Sequence, residues 1–290
     1  MIVQFDEKQI DWLADLLADA ANEEIMPRFR QLGQGDIRQK TSAADLVTEA
    51  DVNAERYITA RLNERFPNAL IVGEEACSDD EALLDGLGDA DLAFTIDPVD
   101  GTFNFASGVP LFGVMLAVVA KGETVAGIIY DPVGKDWILA SKGSGAHIRH
   151  ANGSTSRVSV AEPVDISQMT GAVSWQYTVD PIRSRLARNQ TKFLSKIGYR
   201  CAAHEYRIIA TGGAHFAVYN KLMPWDHLPG ALIHQEAGGY LARWDESDYL
   251  PSHTGGGLLI APDKESWKAI QAALWEEKAK PAIWREFKFL

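Results

Sequence analysis

Residues 112–148 read FGVMLAVVAKGETVAGIIYDPVGKDWILASKGSGAHI. Apolar runs of strand length are broken by the turn signals KGE, DPVGKD and KGSG. That spacing predicts a series of antiparallel hairpins, and a sheet of such apolar strands has to be covered by other layers.

The flanking sequence supplies them. Residues 6–31 carry Ile10, Leu13, Leu16 and Leu17 at helical spacing and stop near Gly33 and Gly35. A second helix is predicted from about Thr48, where TEAD reads as a capping box, and it ends at Pro67 and Asn68. ALIVG (69–73) and LAFTID (92–97) read as short buried strands. Residues 149–163 are the predicted junction, giving an α+β half over 1–148 and an α/β half over 149–290. In the second half MTGAVSW, YRCAA and HFAVYN read as strands. DPIRSRLARNQTKFLSKIG, EYRIIATGG and a segment from Asp226 to Gly238 and Gly239 read as helices.

Three of these segments deliver carboxylates where an element ends or begins: Glu74 and Glu75, Asp97 and Asp100, and Asp226. Element boundaries are where a layered sheet presents chemistry. Pro98 between Asp97 and Asp100 fixes a turn that lets both acids face one point. Like charges held together need a cation or a shared proton. Oxygen donors with no His or Cys favour a hard cation such as Mg²⁺, and a pair of such cations suits phosphoryl hydrolysis. Gly101 permits close backbone approach, its turn can cradle an anion, and Thr102 can hydrogen-bond an attacking water. Asp45 is the expected acid to orient that pair. Taken singly, each motif is as well explained by a turn, an N-cap or a solvated pair. The joint pattern is what points to chemistry.

DLVTEAD (45–51), IVGEE (71–75), IDPVDGTFNF (96–105) and WDHLPGALIHQEAGG (225–239) together resemble the inositol monophosphatase family, metal-dependent and lithium-sensitive phosphatases. The resemblance spans nearly the whole chain. It implies a layered αβαβα fold, two or three Mg²⁺ per subunit, and a homodimer. Glu74, Asp97, Asp100 and Asp226 would be metal ligands, with the Val99 carbonyl. Asp45 and Thr102 would activate water, and Glu75 would bind an outer water. Gly101 and Thr102 would hold phosphate, and Ala203, Tyr219 and Asp226 would meet the substrate. Lys40 would sit near the metal site.

The match departs from the family's pattern in the second half. Tyr219 stands where many members carry a sugar-binding glutamate, and Arg200 opens a stretch (RCAA, 200–203) that usually begins with glycine. His204, Glu205 and Arg207 follow on one helical turn, and surface and substrate-selecting roles both stay open for them. Leu228 and Pro229 replace small residues, the proline being expected in a first helical turn. These departures predict a broad inositol-1-phosphate phosphatase, with histidinol phosphate, fructose 1,6-bisphosphate and 3′-phosphoadenosine 5′-phosphate as alternative substrates. A regulatory protein contacting transcription or RNA-processing machinery is the alternative of another class. The net charge of −12 argues against direct nucleic-acid binding. Two widely spaced cysteines fit a reducing compartment. No apolar run of about 18 residues occurs, so the expectation is a cytoplasmic protein without a membrane span.

Overall fold

The computed structural model describes residues 5–33, 35–40 and 46–276. Helix α1 (Glu7–Ala20) starts at an Asp6–Gln9 capping box and buries Ile10, Leu13, Leu16 and Leu17. It continues as a π turn (Ala21–Ile25) and a 3-10 turn (Met26–Arg28), so the regular helix ends sooner than the apolar pattern predicts. Strands β1 (Ile37–Gln39) and β2 (Leu46–Thr48) pair antiparallel. Helix α2 (Glu49–Arg65) opens on the predicted capping box, Thr48 with Asp51. Then follow β3 (Leu70–Gly73), the short α3 (Glu74–Asp79), β4 (Ala93–Asp100) and α4 (Thr102–Ala106).

The hairpin series folds as its turn signals predict: β5 (Gly113–Ala120), β6 (Glu123–Asp131), β7 (Asp136–Ser141), β8 (Ala146–His150) and β9 (Thr155–Arg157). Strands β3 to β9 form one sheet in sequence order, antiparallel throughout except for the parallel β3–β4 pair. Because β9 pairs with β8, this sheet runs on to Arg157, within the predicted junction of residues 149–163.

The second half contributes β10 (Thr170–Val173), α5 (Ile182–Asn189), β11 (Ser195–Ile197), α6 (Ala202–Ala210), β12 (Phe216–Tyr219), α7 (Pro224–Glu236), β13 (Tyr240–Arg243), β14 (Leu258–Ala261) and α8 (Lys264–Leu274). Its sheet runs β11-β10-β12-β14-β13, with β10 parallel to both its neighbours. Two expectations are corrected here. Residues 195–197, expected to continue a helix, form the edge strand β11. YRCAA is no strand: Arg200 turns left-handed at φ 53°, and Cys201 is the N-cap of α6.

Alternation along each strand feeds two cores, and so builds layers. On β5, Val114, Leu116 and Val118 face α1 and α2, packing with Leu13, Leu17 and Ile58. Met115 on the same strand faces the other way, joining Tyr206 of α6, Ile233 of α7, and Ala217 and Tyr219 of β12. Phe216 and Val218 face outward again, onto Leu186 of α5 and Trp267 and Ile270 of α8. The order is therefore helix, sheet, helix, sheet, helix, the expected αβαβα arrangement. The middle helices α6 and α7 share their core with both sheets. No helix among the described residues is long and apolar enough to cross a membrane.

Candidate active site

The two acids around Pro98 converge because β4 bulges. Asp97 pairs with Met115 and Asp100 with Gly113, so three steps on β4 match two on β5. Proline has no N–H to give the ladder, and a bulge is where a sheet tolerates one. In regular alternation, residues three apart would point to opposite faces. The extra residue cancels that, and the Asp97 carboxylate closes the turn by accepting the Val99 amide at 3.0 Å.

Asp226 arrives from another layer, in the first turn of α7, where an acid also complements the helix dipole. One oxygen each from Asp97, Asp100 and Asp226 lies within 4.8 Å of the others. Glu74, at the end of β3 beside β4, borders the same cavity of about 130 Å³, together with Val99, Gly101, Thr102, Phe103, Tyr177 and Arg200. Burial first, then the charge of Glu74, Asp100 and Asp226, holds Asp97 well above the ordinary carboxylate range. Burial and the charges of Glu74 and Asp100 push Asp226 up to about 7. Asp100 is also raised by burial, although the Cys201 thiol (2.9 Å) and the Ala203 amide (2.6 Å) both donate to it. Such a set of oxygen donors, costly when charged together, fits a hard divalent cation.

Positive charge is built in at one edge. Lys40 Nζ donates to Glu74 at 2.9 Å and Glu75 at 2.7 Å. Burial works against the ammonium, but the two carboxylates outweigh it and raise its pKa. Glu75 is pushed up to about 8, by burial and then by Glu74. A residue with no sequence signal of its own positions this corner. Glu55 of α2 is buried, and its carboxylate accepts the Glu75 and Ala76 amides at 2.8 and 2.9 Å. A Cβ on Gly73 would fall 2.3 Å from it, so only glycine lets Glu55 reach the start of α3.

Asp45 lies outside the described residues. Among the described residues, the carboxylate that reaches Thr102 belongs to Asp51: Thr102 Oγ1 donates toward Asp51 Oδ1 and the Val99 carbonyl, each at 3.0 Å. The other oxygen of Asp51 accepts the Thr48 amide (2.9 Å) and hydroxyl (2.5 Å). Burial pushes Asp51 up to about 6, against the pull of those hydrogen bonds. The Thr102 proton is thus committed inward, and its lone pairs remain to accept from water in the cavity. Gly101 sits at φ 89°, where a Cβ would meet the Leu111 carbonyl at 2.9 Å. It starts α4, whose first amides have no acceptor within the helix.

Of the expected substrate contacts, Gly101, Thr102 and Asp226 border the cavity, while Ala203 and Tyr219 do not. The Ala203 amide is spent on Asp100. Tyr219 is only 4% exposed and does not border the cavity; its ring packs between Tyr206 and His227 at 5.2 and 4.6 Å. Both faces of the β12 sheet are covered, so a side chain there is core on either side. Tyr206 is likewise core, and Trp175 packs against the third core. His204 hydrogen-bonds the Phe112 carbonyl at 3.2 Å and Arg207 pairs with Asp136, so both tie α6 to the first sheet. Pro229 lies inside α7 rather than in its first turn, because the helix starts two residues before Asp226.

The model of the inositol monophosphatase family matches residues 6–279. Nus factor SuhB of Pseudomonas aeruginosa is 32% identical over 260 residues, covering 87% of this chain and 91% of that protein. The inositol-1-monophosphatase of Bacillus subtilis is 30% identical over 203 residues, 70% of this chain and 74% of that one. Among solved structures, an inositol monophosphatase from Zymomonas mobilis superposes with a TM-score of 0.76 at 23% identity, over 93% of this chain and 99% of that one. One from Thermotoga maritima superposes at 0.75 and 24%, with the same coverage. With the family's pattern running through both sheets and the acids gathered at their junction, the chain belongs to the inositol monophosphatase family and is a phosphatase.

Proposed function

We propose that the chain is an Mg²⁺-dependent phosphate monoesterase acting on a small polyol or sugar phosphate, inositol 1-phosphate among them. The observation that carries this is the convergence of Asp97, Asp100 and Asp226 beside the Thr102–Asp51 pair. Glu74, Asp97, Asp100, Asp226 and the Val99 carbonyl would hold the metal. When bound there, Mg²⁺ supplies charge for the phosphate oxygens and makes water a better nucleophile at neutral pH. Thr102 accepts a hydrogen bond from that water and Asp51 draws the Thr102 proton the other way, which aims the water's lone pair outward. The amides of Gly101 and Thr102 face the phosphate at the start of α4.

A phosphatase panel with and without Mg²⁺ tests this, using inositol 1-phosphate, histidinol phosphate, fructose 1,6-bisphosphate and 3′-phosphoadenosine 5′-phosphate. Turnover is expected only with Mg²⁺, and Li⁺ is expected to inhibit it. Undiminished turnover after exhaustive chelation would overturn the metal assignment. The relatives named Nus factor SuhB support a second, regulatory reading with a protein partner. The acid set argues for catalysis, since a binding surface has no need of it. The homodimer belongs to the same proposal and is tested by light scattering.

A further inference from the structure

Arg200 is the one cation among the described residues that border the acidic cavity. Its backbone is left-handed (φ 53°), a conformation that strains any residue with a Cβ. The guanidinium lies 3.7 Å over the centroid of the Phe103 ring, next to Thr102. If its work were to offset the acids it would rest on a carboxylate, as Lys40 does on Glu74 and Glu75. None of the ion pairs between described residues involves Arg200. Stacking occupies one face of the planar group and holds it in place, while the N–H donors at its edge stay available in the plane. That edge suits two oxygens of one phosphate. Tyr177, 54% exposed, borders the same mouth.

We propose that Arg200 is a specificity-determining residue that binds a second phosphate of the substrate, remote from the one cleaved. The preferred substrates are then bisphosphates of a small polyol or sugar. This rests on the phosphatase reading above. The test uses α,ω-diols of increasing chain length, each as its monophosphate and its bisphosphate, with Mg²⁺. The bisphosphate offers two cleavable groups, so a twofold advantage in kcat/KM is only statistical. At the best chain length the wild-type enzyme is expected to favour the bisphosphate about tenfold beyond that. Arg200→Gly suits the left-handed backbone and should fold. In that variant the ratio is expected to fall to the statistical value. Propane-1,3-bisphosphonate, which has no ester to cleave, gives a second readout. Its Kd relative to propylphosphonate should weaken about tenfold in Arg200→Gly. A wild-type ratio of two at every length, or a preference that survives Arg200→Gly, overturns the assignment and leaves the phosphatase reading standing. Hydrolysis of neither compound by the wild-type enzyme overturns both.

Discussion

One carboxylate, Asp51, serves two elements at once: it closes the capping box of α2 and takes the hydrogen bond of Thr102. Asp51→Asn keeps the volume and an acceptor for Thr48 but loses the charge that draws the Thr102 proton. We expect kcat to fall about 10²- to 10⁴-fold, the range for a lost acid–base group, with the fold intact by circular dichroism. A smaller loss from Asp51→Asn than from Asp45→Asn would return the role to Asp45. In the sequence, TEAD already had a sufficient explanation as a cap, and that masked the second use of Asp51. A second expectation concerns Glu205, 6% exposed, whose carboxyl takes the Tyr199 amide at 3.1 Å. Burial pushes it from 4.5 up to about 7. The folded state therefore binds this proton more tightly than the unfolded chain does. Its contribution is complete below pH 4.5 and is lost as pH rises through 7. Glu205→Gln keeps the acceptor and removes the ionisation. Between pH 5 and 8 the stability of the variant should fall less than that of the wild type, by at most about 3 kcal/mol. Parallel denaturant curves for the two proteins across that range would refute it.

At the scale of elements, the site depends on how closely α7 can approach the first sheet. A Cβ on Gly127 of β6 would lie 2.5 Å from the Pro229 carbonyl oxygen and 2.9 Å from its Cα, both backbone atoms with no rotamer to retreat to. Gly127→Ala should therefore push α7 outward, costing about 1 to 3 kcal/mol, and shift Asp226 with it. Reduced denaturation midpoint together with weaker Mg²⁺ activation is the expected pair of results; an unchanged midpoint would mean the layers give more easily than the contacts imply. The hairpin series was legible because strand length, apolar content and turn chemistry agree over residues 112–148. The αβαβα order was implied by the family resemblance, whereas the acids at element ends were legible. Strand β11 was not, since three residues at a sheet edge sit inside a helical-looking stretch and are fixed only by pairing with β10. The left-handed turn at Arg200 has no local signature in an arginine. The bulge in β4 could be suspected from Pro98, but the face to which it returns Asp100 depends on the partner strand. Glu55 is read as one more helix-surface acid until Gly73 brings β3 against it.

For the molecule as a whole, the site is an electrostatic load on a chain that already carries −12. Asp97, Asp100 and Asp226 come from both halves of the fold, so charge gathered between them opposes the docking of α7 on β4. Cation binding to the folded state alone stabilises it by mass action, about 2.7 kcal/mol at a hundredfold excess over Kd. For a chain of this size that corresponds to a rise in Tm of roughly 5 °C. Asp97→Asn removes one of the mutually repelling charges with almost no change in shape. In chelator it should melt above the wild type, since Asp97 is the acid whose ionisation burial and its neighbours oppose most clearly. With saturating Mg²⁺ the order should reverse, because the wild type gains a ligand that the variant holds poorly, and kcat of the variant should be lower by orders of magnitude. Differential scanning fluorimetry in chelator and across a Mg²⁺ titration reads both effects. A variant that melts below the wild type in both conditions would show Asp97 to be a structural acid, stabilised by its hydrogen bond to the Val99 amide. An equal Mg²⁺ response in the two proteins would place the cation elsewhere.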